Sequence, residues 1–346
     1  MLKFDTLKND YPSRRSVIYG RKGMVCTSQP LAAQAGLGII KQGGNAIDAA
    51  IATAACMTVL EPTSNGIGSD AFALVWTKGT LHGLNASGRA PMAITAAEVK
   101  KQGYTAMPKR GWIPVMVPGA PSAWAELSEK FGRLPLEKVM EPAITYAREG
   151  YPVSPVISKL WNNAYKEFSD TLKDESFKSW FDTFALGGHA PQPGEIWKSE
   201  DHAETLEKIA KTHAKAFYQG ELADKIDEYS RKTGGYLRKS DLEKYGCKWV
   251  KAIHVNYRGY DVCEIPPNGD GIIALMALNI LKGYSFEDRN SVDTVHKQLE
   301  AMKLAFADGN RYVADPEYMR VPVETLLSDA YAAERRSLIG EEAKAP

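Results

Sequence analysis

Residues Ala46 to Leu60 constrain this chain more than any other segment. They read Ala-Ile-Asp-Ala-Ala-Ile-Ala-Thr-Ala-Ala-Cys-Met-Thr-Val-Leu, apolar nearly all round when wound at the helical period. A helix with no polar face has to be buried on every side. Its alanines let neighbouring backbones approach closely. The segment is punctuated at both ends: Gly43-Gly44 ends a preceding helix that Pro30 opens, Asn45 is a good N-cap, and Glu61-Pro62 stops the run. Whatever this chain folds into is built around that buried helix.

The rest of the chain is ordinary enough to supply such a core. It has 346 residues, 44% of them hydrophobic and 25% charged. With 43 basic and 42 acidic residues the net charge is +1, which argues against a generic polyanion binder, so no nucleic-acid partner is expected. No stretch approaches the roughly 20 apolar residues of a membrane span. The first ten residues carry acids and lack an apolar core, unlike a signal peptide. A soluble, cytoplasmic protein without a membrane partner is the expectation. The four cysteines, Cys26, Cys56, Cys247 and Cys263, form no Cys-x-x-Cys, and reduced, mostly buried thiols are expected. The six histidines are scattered, so neither a metal nor a cofactor is expected.

Along the chain, residues 1–20 read as a polar strap and Gly23 to Gln29 as a short buried strand. Ala71–Thr77 and Leu81–Asn85 form a hairpin around Lys78-Gly79-Thr80. Helical texture follows from Pro118: a helix with Trp124, Leu127 and Phe131, a break at Gly132–Pro135, then Leu136 to Gly150. Residues 156–245 are helix-rich, 249–265 form a second hairpin turning at Tyr257–Tyr260, and 272–283 are an apolar helix. The C-terminal part carries helices over His296–Ala307 and Leu326–Ile339. No Ser/Gly linker marks a boundary, so 1–346 reads as a single unit. Sheet-forming core is expected over 20–120 and 245–285, mainly helical structure over 120–245 and 290–346.

Gly66-x-Gly68-x-x-Ala71 matches the dinucleotide fingerprint by letter only. The fingerprint works between a strand and a helix, and here a helix precedes and a strand follows. No Gly-x-Ser-x-Gly elbow, P-loop or His-Glu-x-x-His occurs, so these residues offer no recognisable nucleophile. The best ligand-facing cation is Arg89, in a short loop after a strand between Gly88 and Pro91. Its guanidinium suits a bidentate grip on a carboxylate; a surface ion pair is the plainer alternative.

Taken in order, a set of segments resembles the γ-glutamyltranspeptidase family. They are Gly43–Ala50, Glu61-Pro62 with Gly66-Ile67-Gly68, Val117-Pro118-Gly119, Phe131–Pro135, Pro142-Ala143-Ile144, Ala147–Gly150, and Pro152-Val153-Ser154. The series continues through Phe217–Gly220, Gly234-Gly235, Asp241-Leu242 with Tyr245, Tyr257–Tyr260, Pro266-Pro267, Leu278–Leu281, Ala305–Asp308, Arg311-Tyr312 and Asp315-Pro316. The resemblance implies an α/β (α+β) N-terminal-nucleophile hydrolase, a four-layer αββα sandwich made by two chains cut from one precursor. It implies that the small chain, expected after Pro346, begins with a Thr whose hydroxyl attacks a γ-glutamyl amide. The free α-amine of that Thr, with an ordinary pKa near ~8, would act as base. On this reading the present chain is the large chain, it carries no catalytic residue of its own, and its partners are the small chain and a small γ-glutamyl or glutaryl amide.

The match departs from the family at the carboxylate grip. Aligning Ala90-Pro91 with the family's Arg-Glu-x-Ala-Pro puts Ser87 where the family has its Arg. Arg89 lies two residues on, about 6–7 Å along an extended segment on the same face. Ser87 and Arg89 are therefore the candidate substrate-binding residues. Ser69-Asp70-Ala71 replaces a Gly-rich stretch, making Asp70 either an amine-binding group or a turn residue. Such departures resemble a subgroup that includes cephalosporin acylases. Three readings follow: a γ-glutamyl amidohydrolase, a glutaryl acylase of the same mechanism, and a non-catalytic scaffold.

Overall fold

The computed structural model describes residues 17–344; the strap expected over residues 1–20 falls mostly outside them. The chain divides into two compact units. One holds residues 19–71 and 86–247, the other residues 72–85 and 248 onward. In chain order the main elements are α1 (Pro30–Lys41), α2 (Ala46–Leu60), β1 (Ala71–Thr77), β2 (Thr80–Ala86), α3 (Ala120–Phe131), α4 (Leu136–Glu149), α5 (Pro155–Thr171), α6 (Glu200–Thr212), α7 (Glu221–Lys232) and α8 (Lys239–Glu243). Then come β3 (Lys248–Val250), β4 (Ile253–Tyr257), β5 (Tyr260–Glu264), α9 (Gly271–Leu281), α10 (Val292–Tyr312) and α11 (Asp329–Ser337).

The larger unit is helical and α2 is its centre, packed against α1, α3 and α4. The α1–α2 corner forms as the punctuation predicts. Gly43 takes the left-handed conformation at φ +98°, and the Gly44 N–H donates to Ile39 O at 3.0 Å. Asn45 and Asp48 then make a reciprocal cap: Asn45 Oδ1 accepts from Ile47 N and Asp48 N, and Asp48 accepts from Asn45 N at 2.9 Å. Asp48 is fully buried, and its carboxylate also accepts from Arg133 N (3.1 Å) and Leu134 N (3.4 Å). Asn45 Nδ2 donates to Phe131 O at 2.6 Å. One capping box thus ties the start of α2 to the turn between α3 and α4. Burial of α2 is complete except along Ala46, Ala50 and Ala54, with Ile47 half-buried, a departure from the all-round burial expected of it.

Between α5 and α6 an aromatic cluster forms. Trp161 meets Trp197 edge-on at 5.5 Å, and Phe184 stacks on Trp197 at 6.0 Å. His202 closes it edge-on against both Phe184 and Trp197, with Nδ1 3.1 Å from Ser199 Oγ. Gly23 to Gln29, expected as a buried strand, is an unpaired extended segment. It turns Val25, Thr27 and Gln29 inward and leaves Met24 59% exposed; no strand pairs with it among the described residues.

In the second unit β1, β2 and β3 form a three-stranded sheet in that order, with Leu84 opposite Trp249. A hairpin of β4 and β5 turns at Arg258-Gly259, both with positive φ. Helix α9 is apolar all round and buried against Ala305 and Leu326. Arg336 donates to the carbonyls of Asn279 and Ile280 at its C-terminal end. Arg335 grips Asp308 through two nitrogens at 2.8 and 2.9 Å. Helix α10 begins four residues before the expected His296 and runs five past Ala307, and the expected helix over 326–339 is split by a turn at 327–328. Two apolar faces of this unit stay open: Phe72, Leu74 and Trp76 on edge strand β1, and Val292, Val295, Leu299, Met302 and Phe306 along α10. All four cysteines are free, but Cys56 alone is buried, against the expectation that most are. Cys26 lies on the exposed 23–29 segment, and Cys247 and Cys263 sit at a strand edge and in a half-covered hairpin. Burial pushes the Cys56 thiol up to about 12.

These contacts set two expectations for stability. Asp48→Ala leaves several half-buried N–H donors without their acceptor and a fully buried site unfilled, and the urea midpoint should drop by the equivalent of about 3 kcal/mol. Burial also holds His202 below its ordinary range. The neutral ring's contribution is full above the unfolded-state pKa of ~6.5 and is lost as pH falls through the lower folded value. The melting temperature should therefore fall less steeply from pH 7 to pH 5 in His202→Gln than in the parent protein.

Candidate active-site loop

Strand β2 ends at Ala86, and the chain continues as Ser87-Gly88-Arg89-Ala90-Pro91. The backbone of this loop is held at several points. Tyr245 OH donates to Ser87 O at 3.2 Å, Gly88 N donates to Asp70 Oδ1 at 3.1 Å, and Val117 N donates to Arg89 O at 2.9 Å. Met92 N donates to Asp241 Oδ1 at 3.0 Å, while Asp241 Oδ2 accepts from Arg238 N. Gly119 and Gly88 make the close approach feasible. A Cβ on Gly119 would lie 1.8 Å from Ala86 O, and one on Gly88 would lie 2.0 Å from Val117 O. Gly119 N and Ala120 N, at the start of α3, both donate to Ser69 O.

Below the loop two tyrosines stack, Tyr218 on Tyr245, at 5.5 Å and 21°. Tyr218 OH donates to Pro118 O (2.8 Å) and accepts from Ser122 N (3.1 Å). Burial raises both phenols well above their ordinary range, so each stays a protonated donor at neutral pH; for Tyr245 the nearby Arg89 charge opposes that rise.

The structure places both sequence-derived candidates on this loop. Ser87 is half-buried. Arg89 is exposed, and its guanidinium has no hydrogen-bond or ion-pair partner among the described residues. A cation without an internal partner, on a backbone fixed at several atoms, is suited to receive an external carboxylate. Asp70 is engaged as a loop brace through Gly88 N. It also lines a cavity of about 450 Å³ together with Asn65, Ser69, Thr27, Met57 and Trp124, floored by the alanine stripe of α2. No cluster of three or more His, Cys, Asp or Glu able to hold a metal occurs among the described residues. Reasoning from sequence missed Tyr218, Tyr245 and Asp241 as parts of this site. Their one sequence signal was membership in the matching segments, since Tyr245 and Ser87 are 158 positions apart.

The fold is that of the N-terminal-nucleophile hydrolase class. The family model described as gamma-glutamyltranspeptidase matches residues 32–346. The chain belongs to the γ-glutamyltranspeptidase family. The glutathione hydrolase-like YwrD proenzyme of Bacillus subtilis is 36% identical over 331 residues, covering 94% of this chain and 61% of that relative. A crystal structure of cephalosporin acylase from Bacillus halodurans is 60% identical with TM-score 0.94, covering 99% of this chain and 64% of that one. The Helicobacter pylori gamma-glutamyltranspeptidase structure is 30% identical with TM-score 0.88, and there the match covers 96% of this chain and 95% of that one. The chain thus spans about three fifths of the curated relatives it matches and nearly all of one solved chain.

A side chain at residue 119 has no room. Gly119→Ala should lower the melting temperature, with a cost of about 2 kcal/mol or more from the forced backbone shift. The bulkier Gly119→Val should not give folded protein, as judged by soluble yield and circular dichroism.

Proposed function

We propose that this chain is the large part of a self-processed amidohydrolase that cleaves amides of acyl groups bearing a distal carboxylate, γ-glutamyl amides of the glutathione type first among them. One observation carries the reading: Arg89, exposed and without an internal partner among the described residues, stands on a loop whose backbone is held by Tyr245, Asp70 and Val117. The proenzyme name of the Bacillus subtilis relative supports processing, and the 95% coverage of the Helicobacter pylori chain supports a large chain of this length.

In this reading the nucleophile is the N-terminal Thr of the small chain. Its hydroxyl oxygen adds to the amide carbon while its proton passes to the Thr α-amine. The C–N bond then breaks, and that proton leaves on the amine product. Water adds to the acyl ester, the ester C–O bond breaks, and the dicarboxylic acid departs with the hydroxyl restored. Arg89 contributes position: by gripping the distal carboxylate it fixes the scissile carbonyl relative to the nucleophile.

A second reading, a glutaryl acylase, has its own support. The 60% identical structure is a cephalosporin acylase, and Ser87 stands at the position where the family grips with Arg. Glutaryl and γ-glutamyl groups share the distal carboxylate and differ in the α-amine. Both anilides should be hydrolysed by the complete enzyme, and the larger kcat/KM identifies the reading. Arg89→Ala should lower kcat/KM on both by roughly thirtyfold, the worth of a charged contact of about 2 kcal/mol. Unchanged values would remove Arg89 from the site. A gene product that stays one uncut chain would leave the scaffold reading standing and end both enzymatic ones.

A further inference from the structure

We propose that Tyr245, braced by Tyr218, and Asp70 are positioning residues that set acyl-group selectivity by fixing the backbone from which Arg89 projects. The inference rests on the assignment of Arg89 as the carboxylate grip. Arg89 is exposed, and no hydrogen bond or ion pair among the described residues holds its guanidinium in place. What the structure fixes is the direction in which its Cα–Cβ bond leaves the loop, and that is set by the backbone around it. Val117 N–H holds the plane that follows Arg89 by its carbonyl, and the Ser87–Gly88 plane, one residue before it, is held twice, by Tyr245 OH at the Ser87 carbonyl and by Asp70 at the Gly88 N–H.

The three holders are far apart in sequence and converge beside the start of α3. Ser69, next to Asp70, receives both N–H groups at the start of that helix. Tyr218 holds the carbonyl of Pro118, two residues before α3, and the stacked ring of Tyr245 holds Ser87. The spacing between the helix start and the loop is thereby set by two stacked rings, which compress very little. Gly119, beneath Ala86 O and 2.6 Å (as a built Cβ) from Tyr245 OH, leaves no slack between them. Removing the Tyr245 hydroxyl takes away one of the two bonds on the Ser87–Gly88 plane while leaving the stack in place. The consequence is specific: the grip on a distal carboxylate weakens, and the chemistry on an acyl group without one is affected far less.

The test uses the complete self-processed enzyme with two probes, glutaryl-p-nitroanilide and valeryl-p-nitroanilide, which have equal carbon chains with and without the carboxylate. The readout is the ratio of their kcat/KM values. Arg89→Ala should collapse that ratio. Tyr245→Phe should lower it about fivefold, the factor one neutral hydrogen bond is worth, through KM for the glutaryl probe rather than kcat. In the Arg89→Ala background, Tyr245→Phe should no longer alter the ratio. Asp70→Ala should lower it as well, and Asp70→Asn, which keeps an acceptor oxygen for Gly88 N–H, should restore most of it. The Asp70 pair decides the matter if Tyr245→Phe fails to process.

Equal loss on both probes in Tyr245→Phe would overturn the proposal, because a general structural role moves both alike. So would a ratio unmoved by Tyr245→Phe or by Asp70→Ala while Arg89→Ala collapses it. If Arg89→Ala itself leaves the ratio intact, the grip assignment fails first and the positioning role falls with it.

Discussion

The buried carboxylate of Asp48 is the joint on which the helical unit depends. It accepts N–H groups from its own capping box and from the turn at Arg133-Leu134. One carboxylate there satisfies several backbone N–H groups at once, and removing it would leave them without that acceptor. The C-terminal end of α3 is thereby fixed against the start of α2. Helix α3 has 12 residues, about 18 Å of rigid rise. Its other end carries Gly119 and Ala120, which hold Ser69 and lie beneath the end of β2. So α3 works as a strut, with a structural clamp at one end and the Arg89 loop at the other.

On the proposed reading, that arrangement is what makes an exposed cation suited to act as a selective group. A surface Arg normally samples many rotamers and gains little from one partner. Here the backbone beneath it is immobilised by tyrosine, aspartate and main-chain contacts, so less freedom remains to be lost when a carboxylate arrives. The buried phenols add a further property: held well above their ordinary range, they remain donors throughout the physiological pH interval. The geometry of the loop is thus insulated from mild changes in pH.

Much of this was legible in the sequence wherever local chemistry decides. Pro30, Gly43, Asn45 and Pro62 mark helix ends because caps and breakers act within a few residues, and the observed boundaries of α1 and α2 follow them. The hairpin at Lys78-Gly79 follows for the same reason. What the sequence hid depends on distant partners. Gly23–Gln29 has strand composition, yet composition cannot supply a neighbour to pair with. The burial of Cys56 and the exposure of Cys26 differ because one lies on the inner face of α2 and the other on an unpaired segment. The division into two units left no linker signal, since the chain passes between them at Ala71-Phe72, Asn85-Ala86 and Cys247-Lys248, at or beside strand ends. Arg89 stood out through its loop and neighbours. Tyr245 did not, because its contact with Ser87 joins residues far apart in the chain.

The open apolar faces of the second unit bear on how substitutions would be tolerated. Trp76 is 70% exposed and Val292 87% exposed, so neither contributes much to the packing of this chain. A polar residue at either position would cost the unit little of its own stability and would reduce its tendency to adhere to other apolar surfaces. Judged by this chain alone, such positions should drift freely toward polar residues. Their side chains add apolar surface that the packing of this chain does not use, so a mutational scan scored on folding alone would register little at either position.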